Sequence, residues 1–189
     1  MRNIRETWEH IEDWLKLHAP EAMRNLNPGA TKEDIHQLEK KLGYQIPDDV
    51  KESLLVHNGT RDIFADIWQI LDIENIIQQQ HIQADVLKSF QQEESDVEDK
   101  EREIWWWHPS WIPIAYDGSG NLLCVEAEGT HSGQIFRFDH ELGSRWIAPT
   151  FLSLLATFAD DLRSGKYILK KEGRLQSQKF LFARPQEFT

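Results

Sequence analysis

The sequence predicts an α+β fold, a mainly antiparallel sheet packed with helices, on three observations. Apolar residues recur at helical spacing through the first half, at Trp8, Ile11 and Leu15 and again at Ile35, Leu38 and Leu42. From Trp105 onward the pattern switches to short apolar runs separated by Gly- and Asp-rich turns. A closing amphipathic stretch follows from Phe151. Helices, then a strand meander, then a helix is the order of an α+β domain.

The first helix is expected from about Arg5 to Ala19, with Pro20 and Asn27-Pro28-Gly29 punctuating the connection that follows. Thr31 is a good N-cap with Asp34 three residues on, and Gly43 stops the second helix. Pro47 opens a third helix with Asp48 and Asp49 in its first turn, and Asn58-Gly59 ends it. Ile63 to Leu71, carrying Phe64, Ile67 and Trp68, reads as the first strand. Asp72 can cap a helix from Ile73 to about Phe90. Residues 91–103 hold seven carboxylates against Lys100 and Arg102, and read as a solvated loop or fraying helix inserted into the domain. Strands follow at Ile112 to Tyr116, Asn121 to Glu126, Gln134 to Phe138 and Arg145 to Ala148, joined by turns at 117–120 and 139–143. Thr150 caps the last helix. Residues 1–165 therefore read as one domain, and 166–189 as a C-terminal hairpin or partly ordered extension around Gly173.

The chain has 189 residues, 40% hydrophobic and 28% charged, enough for one ordinary core and a solvated surface. Its 21 basic and 32 acidic residues leave a formal charge of −11. That charge repels phosphate backbones, so direct nucleic-acid binding is not expected, and it would steer a basic protein partner. The single cysteine, Cys124, excludes an internal disulfide and any Cys-x-x-Cys metal framework; in Leu122-Leu123-Cys124-Val125 it reads as a small core residue. The amphipathic start lacks the apolar stretch of a signal peptide, and the longest apolar runs are too short to span a bilayer. A cytoplasmic protein without membrane association is expected.

A search for chemistry finds no assembled centre, and no cofactor or metal is expected. His10 and His18 are eight apart on one helix, too far for a chelating pair, while His108, His131 and His140 are scattered through the sheet half. Asp139-His140 are neighbours whose side chains diverge on a strand end. The pairs Asp48-Asp49 and Asp160-Asp161 diverge on helices. Gly118-x-Gly120 joins two strands and cannot place a phosphate at a helix N-terminus.

The tryptophans are more informative. Trp105, Trp106, Trp107 and Trp111 crowd one short segment around His108-Pro109. Three consecutive tryptophans cannot all face one core, so at least one should reach the surface or line a groove, and exposed aromatics are frequent anchors of protein contacts. The alternative is that they seal the joint between helix and sheet, a role that suits Trp107 and Trp111 better than Trp105 and Trp106. The candidate partner-binding set is Trp105, Trp106, His108 and Trp111, with Glu98, Asp99 and Glu101 of the acidic stretch steering a basic face.

The pieces, in order, resemble the SUKH superfamily, or Smi/Knr family. The carriers are Leu38-Glu39 through Leu42-Gly43, then Ile46-Pro47-Asp48-Asp49-Val50 ending at His57-Asn58-Gly59, then Trp68-Gln69-Ile70-Leu71 leading into Ile73-Glu74-Asn75-Ile76. Trp111-Ile112-Pro113-Ile114-Ala115 with Asp117-Gly118-Ser119-Gly120 follows, then Gly133-Gln134-Ile135 with Phe138-Asp139-His140, and Ala148 to Leu155. The resemblance covers roughly residues 30–165, leaving the acidic insertion and the tail without counterpart. It implies a SUKH-like α+β domain with no catalytic residues to carry over. Bacterial members are mostly taken as immunity proteins that bind toxin domains, often nucleases or deaminases; yeast members act as signalling scaffolds. The leading expectation is an immunity protein that neutralises a cognate toxin. A regulatory scaffold for signalling or cell-envelope enzymes is the alternative. A third reading places a small-molecule or enzymatic role in a sheet cleft, where Asp117, Glu126, Asp139 and His140 would have to converge.

Overall fold

A computed structural model describes residues 2–93, 107–170 and 173–178. Helix α1 (Ile4–His18) starts at Asn3, whose side chain accepts from the Glu6 N–H while Glu6 answers at the Asn3 N–H, satisfying two donors that a helix start otherwise leaves open. Thr31 and Asp34 close the same reciprocal box on α3 (Lys32–Leu42), and Gly43 ends that helix in the left-handed conformation. α4 is Asp48–Val56 and α5 is Ile73–Glu93.

The connection after α1 departs from expectation. Pro20 opens a short helix, α2 (Pro20–Asn25), because a proline is harmless where no N–H is needed. The expected strand over 63–71 is also corrected. Only Gln69–Ile70 (β1) pairs in the sheet. Before it, Asp66 takes φ 55° and the chain folds back, with Trp68 and Ala65 bonding each other's backbones. Phe64 and Trp68 enter the core from this turn, so their apolar spacing imitated a strand.

Strands β2 (Trp111–Tyr116), β3 (Leu122–Glu126), β4 (Ile135–Asp139) and β5 (Gly143–Ala148) follow as a meander. With β1 they form one antiparallel sheet in the order β1-β2-β3-β4-β5. Alternation sorts the two faces. Ile112, Leu123, Val125 and Ile135 join the main core with Trp8, Ile11 and Leu15 of α1 and with Phe151, Leu155 and Phe158 of α6 (Phe151–Arg163). Leu122, Cys124, Phe136 and Phe138 point the other way and form a second cluster with Trp107, against which Leu87 of α5 packs.

Asp49, expected to serve its own helix start, also reaches a second one. Its Oδ1 accepts from the Val50 N–H and its Oδ2 from the Leu152 N–H, each at 2.9 Å, so one carboxylate ties α4 to the first turn of α6.

The chain ends its described course in a hairpin of β6 (Tyr167–Leu169) and β7 (Leu175–Ser177). Tyr167 and Leu175 belong to the main core. Asp66 holds the hairpin: its Oδ1 accepts from the Ser177 N–H at 2.7 Å, its backbone N–H donates to Leu175 O at 2.7 Å, and Tyr167 Oη lies 3.5 Å from Oδ2. Burial, with Asp66 and Asp161 nearby, pushes the Tyr167 hydroxyl far above its ordinary range. Replacing Asp66 with Ala is expected to cost about 2 kcal/mol, because a charged acceptor is removed from a buried amide. Hydrogen exchange should show the loss first at residues 175–177; unchanged protection there would refute the latch.

Candidate protein-binding face

The described chain re-enters at Trp107, which is buried and packs edge-on against Phe138 with ring centres 5.4 Å apart. Trp111 starts β2, and its direct cross-strand neighbour is Glu126. Glu126 accepts from Trp111 Nε1 at 2.8 Å through one oxygen and from the Ser110 hydroxyl through the other. His108 Nδ1 lies 2.6 Å from the same hydroxyl. His108, Trp111 and Glu126, assigned from sequence to two different sites, thus form one polar node beside the second cluster. Its effect is to fix the Trp111 ring across the sheet.

That ring begins an aromatic row. Trp111 lies 4.4 Å from Phe136, Phe136 lies 5.2 Å from Trp146 on β5, and Trp146 lies 5.0 Å from His131. The small side chain of Cys124 sits between the strands that carry Trp111 and Phe136 and leaves room for the two rings to meet. The row runs from buried Trp107 to exposed His131 and to Trp146, which keeps 38% of its surface open. Sequence reasoning missed Trp146. Its signal was available: it alternates with Arg145 and Ile147 on an edge strand, so it had to face away from the main core.

Trp105, Trp106, Glu98, Asp99 and Glu101 lie outside the described residues.

The four polar residues proposed for a cleft do not share one. Glu126 closes one end of β3, whereas Asp117, Asp139 and His140 lie at the other end. There Asn121 joins two of them: its Nδ2 donates to Asp117 Oδ2 at 2.7 Å and its Oδ1 lies 3.0 Å from His140 Nδ1. Asp139 does not serve His140 as a base partner. Its Oδ1 accepts from the N–H groups of Glu141 and Leu142, and its Oδ2 meets Arg137 at 3.3 Å.

Burial pushes the Asp139 carboxyl up, but the Leu142 and Glu141 N–H groups and the Arg137 charge outweigh it and hold the carboxyl below its ordinary value. A lowered carboxylate contributes stability above the unfolded value and loses it as pH falls through the folded one. Asp139→Asn should therefore flatten the drop in melting temperature between about pH 5 and pH 3. An identical acid limb in both proteins would discount the contribution.

At the Glu126 node the hydroxyl lies between imidazole and carboxylate, whereas a nucleophilic triad needs the imidazole in the middle, and Ser110 is buried. Burial, and behind it the Glu126 charge, pushes the Cys124 thiol up, away from a reactive thiolate. Among the described residues no group of three or more His, Cys, Asp or Glu could hold a metal ion. Among the same residues no helix is long and apolar enough to cross a membrane.

Comparison with known proteins decides the family. The model of the SMI1 / KNR4 family (SUKH-1) matches residues 29–157, from the loop packed on α4 to the middle of α6. The chain belongs to the SMI1/KNR4 family. A glucan synthesis regulatory protein of Neurospora crassa is 26% identical over 215 residues, covering 89% of this chain and 40% of the relative. A cell wall biosynthesis/cell cycle regulator of Schizosaccharomyces pombe is 26% identical over 208 residues, covering 97% of this chain and 40% of its own length. F-box only protein 3 of Homo sapiens is 31% identical over 72 residues, 38% of this chain. The chain thus spans well under half the length of the fungal SMI1/KNR4 relatives. The names of these fungal relatives speak of regulation.

Proposed function

We propose that this chain is a regulatory protein-binding domain that acts in the cytoplasm as a scaffold for signalling or cell-envelope enzymes. The observation that carries the reading is the family match, joined to fungal relatives that are named as regulators of glucan synthesis and cell wall biosynthesis and that align over nearly the whole chain. The same names favour this reading over the immunity one, since they speak of regulation and not of a toxin. The aromatic row ending at Trp146 and His131 is the proposed partner face. A half-exposed tryptophan held against the buried Phe136 ring can deliver contact area with little loss of side-chain entropy on binding.

The test is affinity purification of the full chain from its source cells, followed by binding measurements on the recovered partner. Kinases or envelope-building enzymes are expected, and Trp146→Ala should weaken their binding at least tenfold while leaving the fold intact. Recovery of a toxin in near-equal amount, whose lethality the chain suppresses, would overturn the scaffold role and restore the immunity reading. Undiminished binding by Trp146→Ala would move the partner face elsewhere.

A further inference from the structure

On the helix side of the sheet an apolar groove of about 70 Å³ runs between the sheet, α6 and the turn that precedes β1. Its floor is Ile70, Ala115 and Leu123, its wall Trp68, and its roof Leu154 and Phe158; only apolar side chains line it. Half-buried Leu154 and Ile70 mark where it reaches solvent. Core packing rarely leaves a void of this size unfilled, and one lined by hydrocarbon alone has no hydrogen bond to offer water. An apolar group is its natural occupant, and the room is that of one large side chain.

The register of the sheet shows what lies beside it. Ile70 pairs with Ala115, Ala115 with Leu123, Leu123 with Arg137 and Arg137 with Arg145, so one row crosses all five strands on this face. The row is apolar on three strands and turns into two guanidinium groups on the last two. Arg137 stacks its guanidinium over Trp68, the groove wall, at 5.7 Å. Like charges facing each other across strands oppose stability. Asp139 is the one carboxylate among the described residues that meets them, through Arg137. Among the described residues Arg137 Nε is buried without a hydrogen-bond partner and half-buried Arg145 has no ion pair. In a chain of net charge −11, two arginines at the end of an apolar groove, of which only Arg137 meets an acid among the described residues, leave a place for a second carboxylate.

We propose that this groove binds a partner segment that presents one large apolar side chain next to an acidic one. The apolar side chain enters between Trp68 and Leu154, and the carboxylate meets the Arg137–Arg145 pair. The inference deepens the protein-binding reading and rests on it. It also gives the domain a second contact region, on the face of the sheet opposite the aromatic row.

A random heptapeptide library displayed on phage, selected on the immobilised full chain, tests this chemistry directly. Enriched sequences should share Leu, Phe or Trp within two positions of Asp or Glu. A synthetic peptide of the enriched sequence should lose at least tenfold in affinity when either residue becomes Ala. Leu154→Arg and Arg145→Glu should each lose as much against the unchanged peptide, and Arg145→Glu should keep the melting temperature. No enrichment, enrichment without the acid, or undiminished binding by both variants would overturn the proposal. So would a chain that takes up octanoate but selects no peptide. The two readings fail separately. A regulatory partner that binds Arg145→Glu as tightly as the native chain leaves the scaffold role standing and removes the groove. Enrichment of the motif without recovery of a regulatory enzyme does the reverse.

Discussion

Gly59→Ala is expected to destabilise the domain by about 3–4 kcal/mol, the sum of a left-handed backbone penalty and an overpacking penalty. Gly59 has φ +67°, and a Cβ there would stand 2.4 Å from the Asp72 nitrogen and 2.5 Å from the Leu71 carbonyl carbon. Both are backbone atoms, so no side chain can swing away. The contact is also tied on each side. Asn58 Oδ1 accepts from the Ile73 N–H at 3.0 Å, Gly59 O accepts from the Asn27 N–H at 3.1 Å, and the Thr60 N–H donates to Ile70 O at 2.9 Å. Gly43 supplies the control: its φ is +77°, but an added Cβ would meet nothing within 4 Å. Gly43→Ala should therefore cost only the conformational part, about 1 kcal/mol. Urea unfolding of the two variants measures the difference, and equal losses would show that the close approach relaxes.

Trp8→Ala should cost about 4 kcal/mol, within the range for deleting a large buried aromatic. Trp8 is fully buried, its Nε1 donates to Ser53 Oγ at 2.9 Å, and its ring meets His57 edge-on at 4.8 Å. His57 in turn places one ring nitrogen 2.9 Å from Asn27 O and the other 3.0 Å from Glu12 Oε1. Helix α1 lies wholly before the matched residues 29–157, yet it carries some of the most deeply buried side chains of the main core. The loss should consequently appear in the global unfolding transition. Fraying of α1 alone, with the rest of the fold keeping its midpoint, would contradict this integration.

Both positions show what could be read from the chain alone. Asn58-Gly59 is a recognisable helix stop, because glycine tolerates a left-handed turn. That the same glycine lets two backbones touch depends on where Leu71 returns, and no local pattern records it. Trp8 was legible as a buried member of a helical stripe; Ser53 and His57 as its neighbours were not.

The same division runs through the molecule. Periodicity and capping residues by themselves determined five helices, the meander of strands and the small-residue role of Cys124, since these depend on contacts within a turn or between alternate residues of one strand. They also carried the family resemblance, through motifs that are collinear with the chain. The turn at Asp66 escaped that reading because its conformation is held by Ser177 and Leu175, more than a hundred residues away. Asp49 bridging to α6 escaped for the same reason. Only the tertiary structure joined Trp111 to Glu126, set Glu126 apart from Asp117, Asp139 and His140, and placed two arginines at the end of an apolar groove. Which side chains a strand exposes is fixed by its alternation, but which strand lies beside it is a matter of chain return, and sites are built from neighbours.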